Sequence, residues 1–128
     1  KPLRKNWMPF RRTNPMTDLQ NFKLKLRDPA YRFEQTLAYI HQHYDYSPTA
    51  FINGALPSKA GQNEGSCKLL GLAQLEGLSA EETLLAFGEH YQSVLNTPEG
   101  NDHGNIRALM VGGIEAVRFD SPPLVRKG

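Results

Sequence analysis

Two stretches of this 128-residue chain bring together residue types that do chemistry. The first, AGQNEGSCKLL (60–70), delivers Asn63, Gly65, Ser66, Cys67 and Lys68 to what its apolar pattern marks as the start of a helix. A helix start leaves backbone N–H groups without intrahelical partners, and the helix dipole adds partial positive charge, so anions are favoured there. The same field lowers the pKa of a nearby thiol. Two chemistries therefore compete: an anion cradle built on Ser66 and backbone amides, or a nucleophilic Cys67. A third account needs no activity, a buried structural cysteine at a tight glycine-permitted entry. No complete phosphate-loop or cysteine-protease signature is present.

The second stretch, GEHYQSVLNTPEGNDHGNIR (88–107), holds Glu89, His90, Asp102, His103, Asn105 and Arg107. An acid–base pair would place Asp102 beside His90 or His103 to orient the imidazole. With Cys67 these residues make a candidate thiol enzyme, Cys67 as nucleophile and His90 or His103 as base. With Asn63, Ser66 and Lys68 they make a binding pocket, in which His103, Asn105 and Arg107 complete the contacts to a small anion or a partner peptide. Asp102 as a helix cap and a histidine hydrogen-bonded into the core explain the same letters without activity. Neither HExxH nor paired CxxC spacing occurs, so no metal and no cofactor are expected. His41 and His43 are two apart on a helix and point to different faces. Tyr31, Tyr39, Tyr44 and Tyr46 read as core-edge aromatics.

These groups must be positioned by helices. Thr17 and Gln20 match a capping box, followed by Leu19, Phe22 and Leu26 on one face. Asp28-Pro29 ends that helix and suits the start of a second, with Phe33, Leu37, Ile40 and Tyr44 as its stripe. Turn residues fill 45–61, where Asn53-Gly54 suits either a tiny hairpin or an ordered loop. A third helix, Glu64 to Glu76, is apolar round most of its circumference and is expected to be the most buried. Gly77 and Leu78 stop it, and Ser79 with Glu82 opens a fourth at once. The fourth runs to Thr97-Pro98 with Leu84, Phe87, Tyr91 and Leu95 inward. A fifth, capped by Asp102, carries Ile106, Leu109 and Met110 to Gly112-Gly113. Val117–Phe119 and Leu124-Val125 read as short extended pieces. The expected class is mainly α, a compact bundle of about five helices with a small C-terminal extended or β segment.

Composition bounds the rest. Hydrophobic residues are 39% and charged residues 22%, ordinary globular values that argue against wholesale disorder. No apolar run approaches the ~20 residues of a membrane span. Five of the fifteen Lys and Arg, and no Asp or Glu, fall in residues 1–15. From Met16 onward ten basic residues face thirteen acidic ones, a net of −3, so nucleic acid is not an expected partner of the domain. The composition breaks at Met16, and residues 1–15 read as a non-native or disordered basic extension ahead of one domain, 16–128. The single cysteine suits a reducing compartment.

The order of YRFEQTLAYIHQHYDYSPTAFINGAL, AGQNEGSCKLL, FGEHYQSVLNTPEGNDHGNIRALM and IEAVRFD resembles the HopJ type III effector protein family, from Met16 to about Leu124. Its characteristic pieces here are PTAFINGAL, AGQNEGSCK, FGEHY and DHGNIR, which hold Asn53, Gly54 and Tyr91 besides the residues above. The resemblance implies a small protein of the bacterial cytoplasm, or an effector delivered into a host cell by a type III secretion system. It supplies no catalytic residue. Where the family tends to carry tryptophan near the double glycine, this chain has Ile114.

Overall fold

The computed structural model describes residues 15–128, with side chains from Asp18 onward. The basic extension lies outside the described residues except for Pro15, as does the Thr17 side chain of the expected capping box.

Six helices are present among the described residues: α1 (Pro15–Lys25), α2 (Phe33–His43), α3 (Glu64–Glu76), α4 (Ala80–Ala86), α5 (Glu89–Asn96) and α6 (Gly104–Gly112). Five three-residue strands accompany them: β1 (Tyr44–Tyr46), β2 (Phe51–Asn53), β3 (Leu56–Ser58), β4 (Val117–Phe119) and β5 (Leu124–Arg126). The class is mainly α with small antiparallel sheets. None of these helices is long and apolar enough to cross a membrane.

The central helix is α3, as its all-round apolar pattern predicts. Cys67, Leu69, Leu70, Gly71, Leu72 and Ala73 are all buried along it. Its end follows from local chemistry. Gly77 takes a left-handed conformation (φ 71°), the Leu78 N–H returns to the Ala73 carbonyl at 3.0 Å, and Leu78 packs into the core. The next helix opens with the expected box. Glu82 N–H donates to Ser79 Oγ at 3.0 Å, and Ser79 N–H to Glu82 Oε1 at 2.9 Å.

Elsewhere tertiary packing moves the boundaries. The expected fourth helix is two, because Gly88 breaks it with φ 60° and ψ −127°, where α2 comes against it. That break makes the helices six rather than five, and it reorients the α5 face. Leu95, expected inside, is 46% exposed, and Val94 is buried instead. Asp28-Pro29 does not start α2. Asp28 Oδ1 accepts from Ala30 N–H at 2.9 Å in a separate turn, and the helix begins at Phe33 after extended Arg32. Tyr44 leaves that helix to begin β1, though it stays buried. Met110, also expected inside, is 46% exposed.

Asn53-Gly54 does close a hairpin, β2 against β3, and β4 pairs with the other edge of β2, giving the order β3-β2-β4. The C-terminal extended pieces pair not with each other but separately, β4 with β2 and β5 with β1. The β1–β5 ladder is clamped by Glu76 at the end of α3. Arg126 donates two hydrogen bonds to it, at 3.0 and 2.9 Å, and the Tyr44 hydroxyl donates a third. The Arg126 bonds, outweighing partial burial, hold the Glu76 carboxyl below the usual range. Ile114 is half-buried against the core.

Candidate functional site

The starts of α3 and α6 meet at one cavity of about 350 Å³. Asn63, Gly65 and Ser66 line it from the α3 side, and His103, Gly104, Asn105 and Ile106 from the α6 side. Phe33, Phe87 and His90 form the remaining wall, from α2 and the α4–α5 break.

Both helix starts share one geometry. Asn63 and His103 are the non-glycine residues with positive φ among those described, each at 52°, and each is an N-cap whose side chain does not cap its helix. Asn63 instead donates from Nδ2 to Ser58 Oγ at 2.9 Å. Asp102, the expected cap of the last helix, is one residue too early. The left-handed turn at His103 puts the Asp102 carboxylate on Arg107 at 2.7 Å. Gly65 and Ser66, and Gly104 and Asn105, line the cavity from the first turns of their helices, where backbone amides have no intrahelical partners.

The two imidazoles lie side by side, ring centroids 5.2 Å apart. His90 also packs edge-on against Phe33 at 5.3 Å, and Phe33 stacks on Phe87 at 5.6 Å. Each histidine has a carboxylate near ion-pairing distance. Glu89 Oε2 is 3.9 Å from His90 Nε2, and Asp102 Oδ2 is 4.0 Å from His103 Nε2. Neither carboxylate is free. Burial works against the charge of Glu89, but hydrogen bonds from backbone N–H groups (Phe33 at 2.8 Å) and the Arg32 guanidinium hold its carboxyl below the usual range. Asp102 is lowered by the Arg107 hydrogen bond.

Of the six residues the sequence nominates for a pocket, Asn63, Ser66, His103 and Asn105 line the cavity, and Lys68 and Arg107 do not. Lys68 sits with His41 (3.0 Å) and over the Tyr46 ring (4.8 Å). Arg107 is taken up by the turn before α6, donating to Asp102 through Nη2 and to the Asp102 carbonyl through Nε. Sequence spacing missed Phe33 and Phe87, which read there as core. The signal that marks them is Gly88, whose glycine-only backbone brings α2 against the helix break.

Cys67 is not in the cavity. It is 1% exposed in the hydrophobic core, and its sulfur faces the Thr49 carbonyl at 3.9 Å. Burial, only partly offset by hydrogen bonds from its surroundings, pushes the thiol pKa up. A nucleophilic thiol needs the reverse, an accessible sulfur in an electropositive setting. Iodoacetamide should therefore label the native protein far more slowly than the unfolded chain at neutral pH. Rapid native labelling that slows in His90→Ala or His103→Ala would restore the thiol reading. No group of three or more His, Cys, Asp or Glu able to hold a metal occurs among the described residues.

The family model for the HopJ type III effector protein matches residues 19–124, all of the helices but the first turns of α1 and every strand except the end of β5. The chain belongs to this family. A similar fold is seen in a crystal structure described as that of "unknown function protein VPA0580". It is 43% identical, covers 85% of this chain and 93% of that one, and superposes with a TM-score of 0.79. No curated protein matches this HopJ-family chain.

Proposed function

We propose that this HopJ-family protein is a binding module that takes a small anionic group into the cavity between the starts of α3 and α6. The observation that carries the reading is the convergence of two helix starts without side-chain caps and two imidazoles on one 350 Å³ space. Each helix start contributes amide donors and the positive end of its dipole, and together with the Ser66 hydroxyl they can surround an anion's oxygens. The Asp102 and Glu89 charges beside the site are engaged by Arg107 and Arg32, which reduces their opposition to an incoming anion. Asn63, Ser66, His103, Asn105 and His90 are the contacts, and Arg107 acts by shaping the turn ahead of α6. Delivery to a host cell, which the family description implies, belongs to this reading too, the anion then being a feature of a host ligand.

Inorganic phosphate, titrated at constant ionic strength, tests the site. At ten times its dissociation constant a specific ligand stabilises by about 1.4 kcal/mol, a Tm rise of roughly 5 °C for a domain of this size. Ser66→Ala and His103→Gly should abolish the rise, and Lys68→Ala should retain it. Glycine is the sound replacement at position 103. It accepts the left-handed conformation, so stability should stay within about 1 kcal/mol of the parent. A Tm unresponsive to phosphate, sulfate and small carboxylates alike sinks the reading.

A further inference from the structure

Beside the cavity runs an open groove of about 490 Å³, lined by Gly54, Ala55, Leu56, Ala108, Val111 and the Arg107 stem. Its walls are almost wholly apolar, yet Val111 is 91% exposed and Leu56 36%. The groove meets the cavity at Gly104, which lines the cavity while Leu56 packs against it, 3.0 Å from where a Cβ would stand. Gly104, Ala108 and Val111 are spaced i, i+4 and i+7, so cavity mouth and groove lie along one face of α6. Arg107 adds no free charge to the groove, since its guanidinium is held by Asp102 at 2.7 Å and Thr97 Oγ1 at 3.2 Å.

The distance along α6 from Gly104 to Val111 is about 10 Å at 1.5 Å per residue. An extended chain covers that in about three residues. We propose that groove and cavity together receive an extended acidic peptide of a partner protein, its aspartate or glutamate carboxylate in the cavity and an apolar side chain, two to four residues away, on Leu56 and Val111. The occupant follows from charge complementarity: an apolar groove adjoining a cavity that is lined by the N-terminal, positive ends of two helices and by two imidazoles suits a segment that pairs a carboxylate with an aliphatic or aromatic side chain. The proposal rests on the reading of the cavity as an anion site and adds the partner's class.

A displayed library of random heptapeptides, panned on the full chain, tests it. Enriched peptides should share Asp or Glu with Leu, Ile, Val, Met or Phe two to four residues away. A labelled consensus peptide should bind at least tenfold more weakly to Val111→Gln, which removes the apolar contact without adding a repelling charge. The phosphate-induced Tm rise should survive in Val111→Gln, and His103→Gly should lose both responses. Enriched peptides without the acidic–apolar pair, no enrichment, or a consensus peptide indifferent to Val111→Gln would overturn the inference while the phosphate response left the anion site standing. A concentration-dependent dimer abolished by Val111→Gln would overturn it too, assigning the groove to a second copy. Loss of the phosphate response in the parent chain would instead remove the reading beneath it.

Discussion

Gly88→Ala is expected to lower the Tm by roughly 15–25 °C, read by circular dichroism, and to abolish the phosphate response. Gly88 has φ 60° and ψ −127°, and a Cβ there would stand 2.6 Å from the Phe33 nitrogen and 2.9 Å from the Arg32 carbonyl carbon. Both obstacles are backbone, so no rotamer relieves the overlap. The left-handed side of the map costs an L-residue about 1–2 kcal/mol. Forcing an extra methyl into a packed contact adds about 1–3 kcal/mol, for a total of roughly 3–5 kcal/mol. Set against the about 5–15 kcal/mol that holds a typical domain folded, that is a large fraction. The same backbone contact lets Phe33 N–H reach Glu89 Oε1 at 2.8 Å and seats Phe33, Phe87 and His90 in the cavity wall. Gly77→Ala is the control. It shares a positive φ of 71° but meets nothing within 4 Å, so it should cost only about 1 kcal/mol. If the two variants melt alike, the crowding at Gly88 is not what breaks the helix.

That comparison also marks where sequence reasoning stops. Gly77-Leu78 and Ser79 with Glu82 are readable because donor and acceptor are within five residues, and the structure has both motifs in the expected form. Gly88 is unreadable as a break because its cause is Arg32-Phe33, more than fifty residues earlier. The β1–β5 and β2–β4 ladders are hidden for the same reason. The letters show that Val117–Phe119 and Leu124-Val125 are extended but not which loop each will pair with. In the site, the two polar stretches are legible as helix starts, since small and polar residues precede apolar periods in both. Their meeting is not. Long side chains are the least legible of all: spacing groups Lys68 and Arg107 with the pocket residues, and each is drawn away by a nearer partner, Lys68 to His41 and Tyr46, Arg107 to Asp102.

What holds the two starts together leads to the other large effect, expected from Asn53→Asp. Asn53 is fully buried on β2. Its Nδ2 donates to the Asn105 carbonyl at 2.9 Å and to Asn105 Oδ1 at 3.1 Å, which anchors the first turn of α6 over the sheet. A backbone carbonyl can only accept, so the orientation of the Asn53 amide is fixed, and its Oδ1 is left without a partner among the described residues. Aspartate has almost the same shape but offers a carboxylate oxygen to two acceptors. An uncompensated buried charge costs about 3–5 kcal/mol. The penalty should depend on pH. Burial and the facing oxygens raise the new carboxyl's folded pKa above its unfolded value, so the folded state binds the proton more tightly. The variant therefore recovers stability relative to the parent below the unfolded value near 3.9 and loses it as pH rises through the folded one. Asn53→Leu removes the donor without adding charge and should cost about 1–3 kcal/mol with no such pH dependence relative to the parent. Both variants free Asn105, a wall of the cavity, so both should weaken the phosphate response even where the fold survives. Equal stability losses for the two at every pH would mean that the Asn53–Asn105 contact does not anchor α6, and the cavity would have to be held by its helices alone.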